Sequence, residues 1–175
     1  YAFMLERFFQ EYPSLVKDFK RFAREGRFEI ASGMYTMADI NMSGSESIIR
    51  QLLLGKQWCM DNLGLQPKVL DMGDCTGHPS SMPQIANKCG YDYFVFERAI
   101  DDASRKCEIN WQGIDGTIIK TYWLAVDGYA GWRFSAEDQN SNGTLANIVH
   151  QASLHTDCET AVISHGGDFQ YPCER

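Results

Sequence analysis

The sequence predicts an α/β fold, partial (β/α)-barrel-like, with a largely parallel sheet, helices outside it and one β-hairpin. Three observations carry that expectation. Helical and strand patterns alternate along most of the 175 residues. Residues 68–83 read as a short apolar strand (Lys68-Val69-Leu70), a polar loop, and a helix start at Ser81-Met82-Pro83. Finally, Asp115-Gly116 is a dipeptide that closes two-stranded hairpins, and strand-like runs at 108–112 and 117–124 flank it.

Taken in order, residues 2–11 read as the end of a helix whose apolar residues begin at the first position without a cap, as though the chain starts inside a domain. Residues 13–25 place Leu15, Val16, Phe19, Phe22 and Ala23 on one helical face, with Pro13 suited to the first turn and Gly26 to the stop. Phe28, Ile30 and the run 34–37 read as a strand interrupted at Gly33, delivering Asp39 and Asn41 at its far end. Ser43-Gly44-Ser45-Glu46 has the spacing of a capping box and predicts a long helix, with Ile48, Ile49, Leu52 and Leu53 buried and Gly64 as its terminator. After the strand and loop of 68–83 come a short helix over 83–88 and a strand over 93–96 that delivers Glu97 and Arg98. The hairpin's second arm ends near Asp127 and Tyr129. A Gly/Asn/Ser-rich link then precedes a helix over 145–154 and a strand over 160–163, which ends at Ser164-His165-Gly166-Gly167-Asp168.

Composition narrows the function. Hydrophobic residues at 44% and aromatics at 13% supply a sizeable core for one domain. Acids outnumber bases 23 to 16, for a net charge of -7, which argues against a nucleic-acid partner because that affinity rests on clustered Lys and Arg. A neutral ligand such as a sugar fits better. No apolar run approaches the ~20 residues of a membrane-spanning helix, and the first residues lack a signal-peptide pattern, so a soluble chain without a membrane segment is expected. The six cysteines form no C-x-x-C pair, so mostly free thiols are expected, with a slight tilt toward a cytoplasmic location. Two sequons, at Asn41 and Asn142, are too short a pattern to decide the compartment.

Open α/β sheets and barrels place their chemistry at the carboxyl ends of parallel strands. Asp39, Asp74, Arg98 and Asp168 each follow a predicted strand, and parallel strands would gather them around one crevice. A bland reading competes at each position, since Asp is common in turns and Arg98 suits a surface ion pair. His78 and His165 suit a metal or ordinary packing. Trp111, Trp123, Tyr129 and Trp132 suit a sugar face or the core.

Five segments in register resemble one family: Gly26-Arg27-Phe28-Glu29; Ser43-Gly44-Ser45-Glu46-Ser47 through Arg50-Gln51; Asp74-Cys75-Thr76-Gly77-His78; Met82-Pro83-Gln84-Ile85; and Gly167-Asp168-Phe169. Together they are similar to the catalytic domain of glycoside hydrolase family 38, the zinc-dependent α-mannosidases, from about Glu11 to the end. The resemblance implies a retaining glycosidase acting on mannose-containing oligosaccharides. Asp74 would be nucleophile and zinc ligand at once, Asp168 the acid/base, Arg98 and Asp39 substrate-binding residues, and His78 a residue that shapes the loop. Gly167 stands where the family often has an acid. The family's His-x-Asp zinc motif and a further histidine ligand have no counterpart here. The expectation is therefore a single incomplete catalytic domain over 1–175, an internal piece that relies on the rest of its own polypeptide and that binds metal poorly alone. A metal-dependent polysaccharide deacetylase and a non-catalytic sugar-binding or structural module are the alternatives.

Overall fold

The structure, a computed structural model, describes residues 1–98, 100, 105–125 and 141–164, and for 141–144 the backbone alone. Its helices are α1 (Ala2–Glu11), α2 (Val16–Arg24), α3 (Ser45–Leu63), α4 (Met82–Lys88) and α5 (Ser141–Leu154). Its strands are β1 (Val69–Asp71), β2 (Tyr93–Phe96), β3 (Glu108–Gln112) and β4 (Ile118–Trp123). The strands form one open sheet in the order β1-β2-β4-β3. β1, β2 and β4 are parallel, and β3 joins β4 as the antiparallel hairpin. The expected α/β class, its mostly parallel sheet and its hairpin are all present.

Because side chains alternate along a strand, the sheet has two unlike faces. Leu70, Phe94, Phe96, Ile119 and Trp123 point to the buried face and join Ile48 and Leu52 of α3 with Met82 and Ala86 of α4 in one core. At roughly 1.5–3 kcal/mol for each large side chain fully removed from water, this layer is what fixes the sheet against the helices. The opposite face carries Val69, Tyr93, Val95, Lys120 and Tyr122 and borders an open cleft of about 440 Å³.

Several local expectations change. The strand expected over 28–37 is a kinked segment instead. Ser32 and Gly33 both take left-handed backbone conformations (φ 69° and 61°), so the segment gives β1 a single bond there, Ser32 N to the Val69 carbonyl at 2.8 Å. The capping box does not form. Gly44 is the N-cap without a side-chain bond, and Glu46 reaches forward to Arg50 at 2.8 Å. In α3 the buried positions are Ile48, Leu52, Gly55, Lys56, Cys59 and Leu63. Leu53 is half exposed, one step round the helix from the stripe. Gly64 ends α3 in the left-handed conformation predicted. Pro13 opens a 3₁₀ turn, Pro13–Leu15, ahead of α2, and Ala23 is the residue α2 buries. Residues 160–163 form no ladder; Val162 N donates to the Tyr122 hydroxyl at 3.1 Å. The end expected for the hairpin at Asp127 and Tyr129 lies outside the described residues.

Cys59, Cys75, Cys89, Cys107 and Cys158 are free thiols. Among the described residues, no helix is long and apolar enough to cross a membrane.

Candidate active site

The parallel strands release their loops on one edge, and the loop after β1 is held tightly there. Met72 N continues the ladder to the Val95 carbonyl at 2.8 Å, Gly73 N donates to Asp71 Oδ1 at 3.1 Å, and Cys75 N closes a turn on the Met72 carbonyl at 3.3 Å. Met72 and Cys75 are buried, which leaves the intervening Asp74 side chain projecting outward, 42% exposed.

Arg98 follows β2, the neighbour of β1, so its guanidinium arrives beside that carboxylate. Its Nε donates to Asp74 Oδ1 at 3.0 Å, and its Nη2 lies 2.9 Å from the same oxygen. A charge-assisted pair of this kind at a half-exposed position adds little stability, but it fixes which way the carboxylate faces. The backbone that launches Arg98 is itself held. Trp123 Nε1 donates to the Glu97 carbonyl at 2.7 Å, and Leu124 N donates to the Phe96 carbonyl at 2.8 Å. Nothing in the sequence signals that role for Trp123.

Asp39 heads a turn in which its side chain accepts from Asn41 N at 3.2 Å and its carbonyl accepts from Ser43 N at 3.0 Å. This turn lies against the Asp74 loop on both sides of Asp39. Cys75 Sγ donates to the Ala38 carbonyl at 3.3 Å, and the Asn41 amide occupies the space a side chain at Gly77 would need. The structure therefore brings Asp74, Arg98 and the Asp39 turn together. Asp168, with His165, lies outside the described residues.

His78 closes the loop from the other side. Its ring stands edge-on to Phe94 and Phe96, each 5.2 Å away between centroids, and to Trp111 at 6.1 Å. Both ring nitrogens are buried without a hydrogen-bond partner among the described residues, and burial lowers the imidazole pKa to about 4. The ring is neutral at ordinary pH and packs as an anchor beneath the loop.

The model of the Glycosyl hydrolases family 38 N-terminal domain matches residues 2–172. The chain belongs to glycoside hydrolase family 38. Within reach of that family, this chain is 24% identical over 163 residues to Alpha-mannosidase G of Dictyostelium discoideum. That alignment covers 90% of this chain and 14% of the relative, so the chain spans about a seventh of that protein. Among solved structures, an alpha-mannosidase from Enterococcus faecalis V583 superposes with a TM-score of 0.85 at 20% identity, over 95% of this chain and 19% of the other. A probable polysaccharide deacetylase from Pseudomonas aeruginosa PAO1 shares the fold more loosely, with a TM-score of 0.51 at 14% identity, over 89% of this chain and 50% of the other.

In this family 38 chain Asp74 is an oxygen donor of the type zinc accepts, and it is presented to solvent rather than buried. It does not complete a metal site with its neighbours: no three His, Cys, Asp or Glu side chains among the described residues are grouped to hold an ion.

Proposed function

We propose that the enzyme containing this chain hydrolyses α-mannosidic bonds in oligosaccharides with retention of anomeric configuration. The observation that carries this reading is a carboxylate, Asp74, held outward at a strand's carboxyl end by Arg98, in a family 38 chain whose curated relative is an alpha-mannosidase. Asp74 Oδ2 or Oδ1 attacks the anomeric carbon as the glycosidic bond breaks. Asp168 gives its proton to the departing oxygen, and then takes one from the water that cleaves the mannosyl–Asp74 ester. Arg98 keeps Asp74 aimed, while Asp39 lines the sugar side of the site. Zinc would be held by Asp74 together with ligands outside these 175 residues. When bound, it would supply positive charge that keeps the nucleophile ionised and organises sugar hydroxyls. The 175 residues are read as one incomplete catalytic domain that works with the rest of its polypeptide.

The test is a 2-fluoro α-mannoside carrying an aryl leaving group, given to the complete enzyme. A covalent adduct mapped to Asp74 is expected, and Asp74→Asn should lower turnover by about 1,000-fold or more while leaving the melting temperature in place. Wild-type turnover in Asp74→Asn would remove the residue from the mechanism. Acetate release from an acetylated glycan without an adduct would favour deacetylase chemistry on the shared fold.

A further inference from the structure

The carboxyl end of β1 carries a second carboxylate, Asp71, whose position the nucleophile assignment leaves unexplained. Its side chain shares a sheet face with Val69, Val95 and Tyr122 and is half-buried. Burial pushes its carboxyl above the ordinary aspartate value, and the hydrogen bond from Gly73 N works against that shift. Tyr1 feels the same group: its hydroxyl is pushed up to about 12, by burial first and then by the Asp71 charge. A half-buried carboxylate is costly to keep, so its contact with Gly73 calls for a reason.

We propose that Asp71 is a positioning residue for Asp74, acting through its hydrogen bond to the Gly73 amide; the inference rests on the glycosidase reading of Asp74. Gly73 immediately precedes the nucleophile. The bond from Gly73 N to Asp71 Oδ1 at 3.1 Å fixes that peptide between two others, Met72 N to the Val95 carbonyl and Cys75 N to the Met72 carbonyl. With it in place, every backbone amide flanking Asp74 in the span 72–75 has a partner, and the side chain leaves the turn in one direction, toward Arg98. An aspartate two residues before the amide it captures is the local turn that Asp and Asn both make, so the requirement is the short side chain and its acceptor oxygen, not the charge. Without the bond, the Gly73 peptide can rotate and carry the nucleophile off its line to the anomeric carbon. Small misplacements of that kind slow chemistry more than they weaken binding.

The test compares three variants of the complete enzyme on an aryl α-mannoside. Asp71→Asn keeps the acceptor at the same reach and is expected to hold kcat within about threefold of wild type. Asp71→Ala removes the acceptor, and Asp71→Glu keeps the charge but moves it one methylene too far. Both are expected to lose about 10- to 100-fold in kcat with KM within about twofold. If Asp71→Ala does not fold, the contrast between Asn and Glu, each checked by melting temperature, carries the comparison. Wild-type kcat in both Ala and Glu variants would overturn the inference, and so would an Asn variant as slow as Ala, since that would make the charge the operative property. Asp74→Asn is run alongside: if it stays active the glycosidase reading itself fails, whereas if it is inactive and the Asp71 variants are all normal, only the positioning role fails.

Discussion

The two ends of the parallel strands use their polar residues in opposite ways. At the amino ends, Lys56 of α3 turns inward, only 9% exposed, and donates to the Pro67 carbonyl at 3.0 Å and the Gly90 carbonyl at 2.7 Å while lying 4.2 Å from the Tyr91 ring centroid. It joins the entries to β1 and β2 to one helix. Burial lowers its ammonium pKa, and the two carbonyls and the aromatic face offset that cost. Beside it, Gly55 lets α3 come against the backbone of Gly33 and Met34, and Gly33 in turn leaves room for Pro67. At the carboxyl ends, Asp74, Arg98 and Asp39 are exposed, and their bonds orient side chains outward without closing the surface. One end spends its polar groups on the fold. The other leaves them exposed at the edge where barrel-type enzymes place their chemistry.

Substitutions at each end test that division. The largest loss of stability is expected for Gly55→Ala, whose new Cβ would run into the Gly33 carbonyl. About 3 kcal/mol or more should go, read as a drop in the denaturation midpoint of the complete enzyme. A midpoint close to wild type would mean that the close approach of α3 to residues 33–35 is not needed. Lys56→Met should come next, at about 2 kcal/mol, because two buried carbonyls lose their donor while the aliphatic stem is kept. The molecules that remain folded should turn over at the wild-type rate. A fall in kcat without a fall in stability would show that the amino end also serves the chemistry.

His78 lies between the two regimes, buried like the amino end yet attached to the Asp74 loop. Its folded pKa of about 4 is below the ordinary 6.5, so as pH falls the unfolded chain takes the proton first. Stability is full above about pH 6.5 and declines between there and about pH 4, by about 2 kcal/mol once the ring's partial exposure is discounted. His78→Phe keeps the edge-on packing and removes the titration, so its stability should decline less over that window; an unchanged slope would assign the acid sensitivity to other groups. The smallest effect on the fold is expected for Arg98→Lys. An ammonium cannot place two donors on one carboxylate oxygen as the guanidinium does, so kcat/KM should fall about tenfold while the midpoint moves by less than about 0.5 kcal/mol. A larger stability loss would show that the carboxyl edge also holds the fold together.

How much of this could be read beforehand differs from element to element. The Asp74 loop was legible because strand, turn residues and helix start sit within sixteen consecutive positions, and Asp115-Gly116 announced its hairpin in two. The strand expected at 28–37 failed because periodicity does not report the left-handed backbone at Ser32. The capping box failed because a serine and a glutamate at the right spacing still need the chain to enter the helix at that serine, and α3 begins one residue past Gly44. Asp71 carries a local signal of its own, an aspartate two positions before Gly73. Lys56 carried none, since an isolated lysine on a helix reads as solvent-facing.

Apolar spacing and turn chemistry were enough to give the class of fold, most of the order of helices and strands, and the loop that carries Asp74, because these depend on short-range patterns. The gathering of Asp39, Asp74 and Arg98 was expected from strand order, but the fold supplied the particular contacts: Arg98 on the Asp74 oxygen itself, the Asp39 turn against Cys75 and Gly77, and Lys56 turned inward. Those contacts join residues 11 to 37 positions apart, and which partners meet is set by parallel pairing of β1 with β2 and by the depth at which α3 docks, neither of which any local stretch encodes.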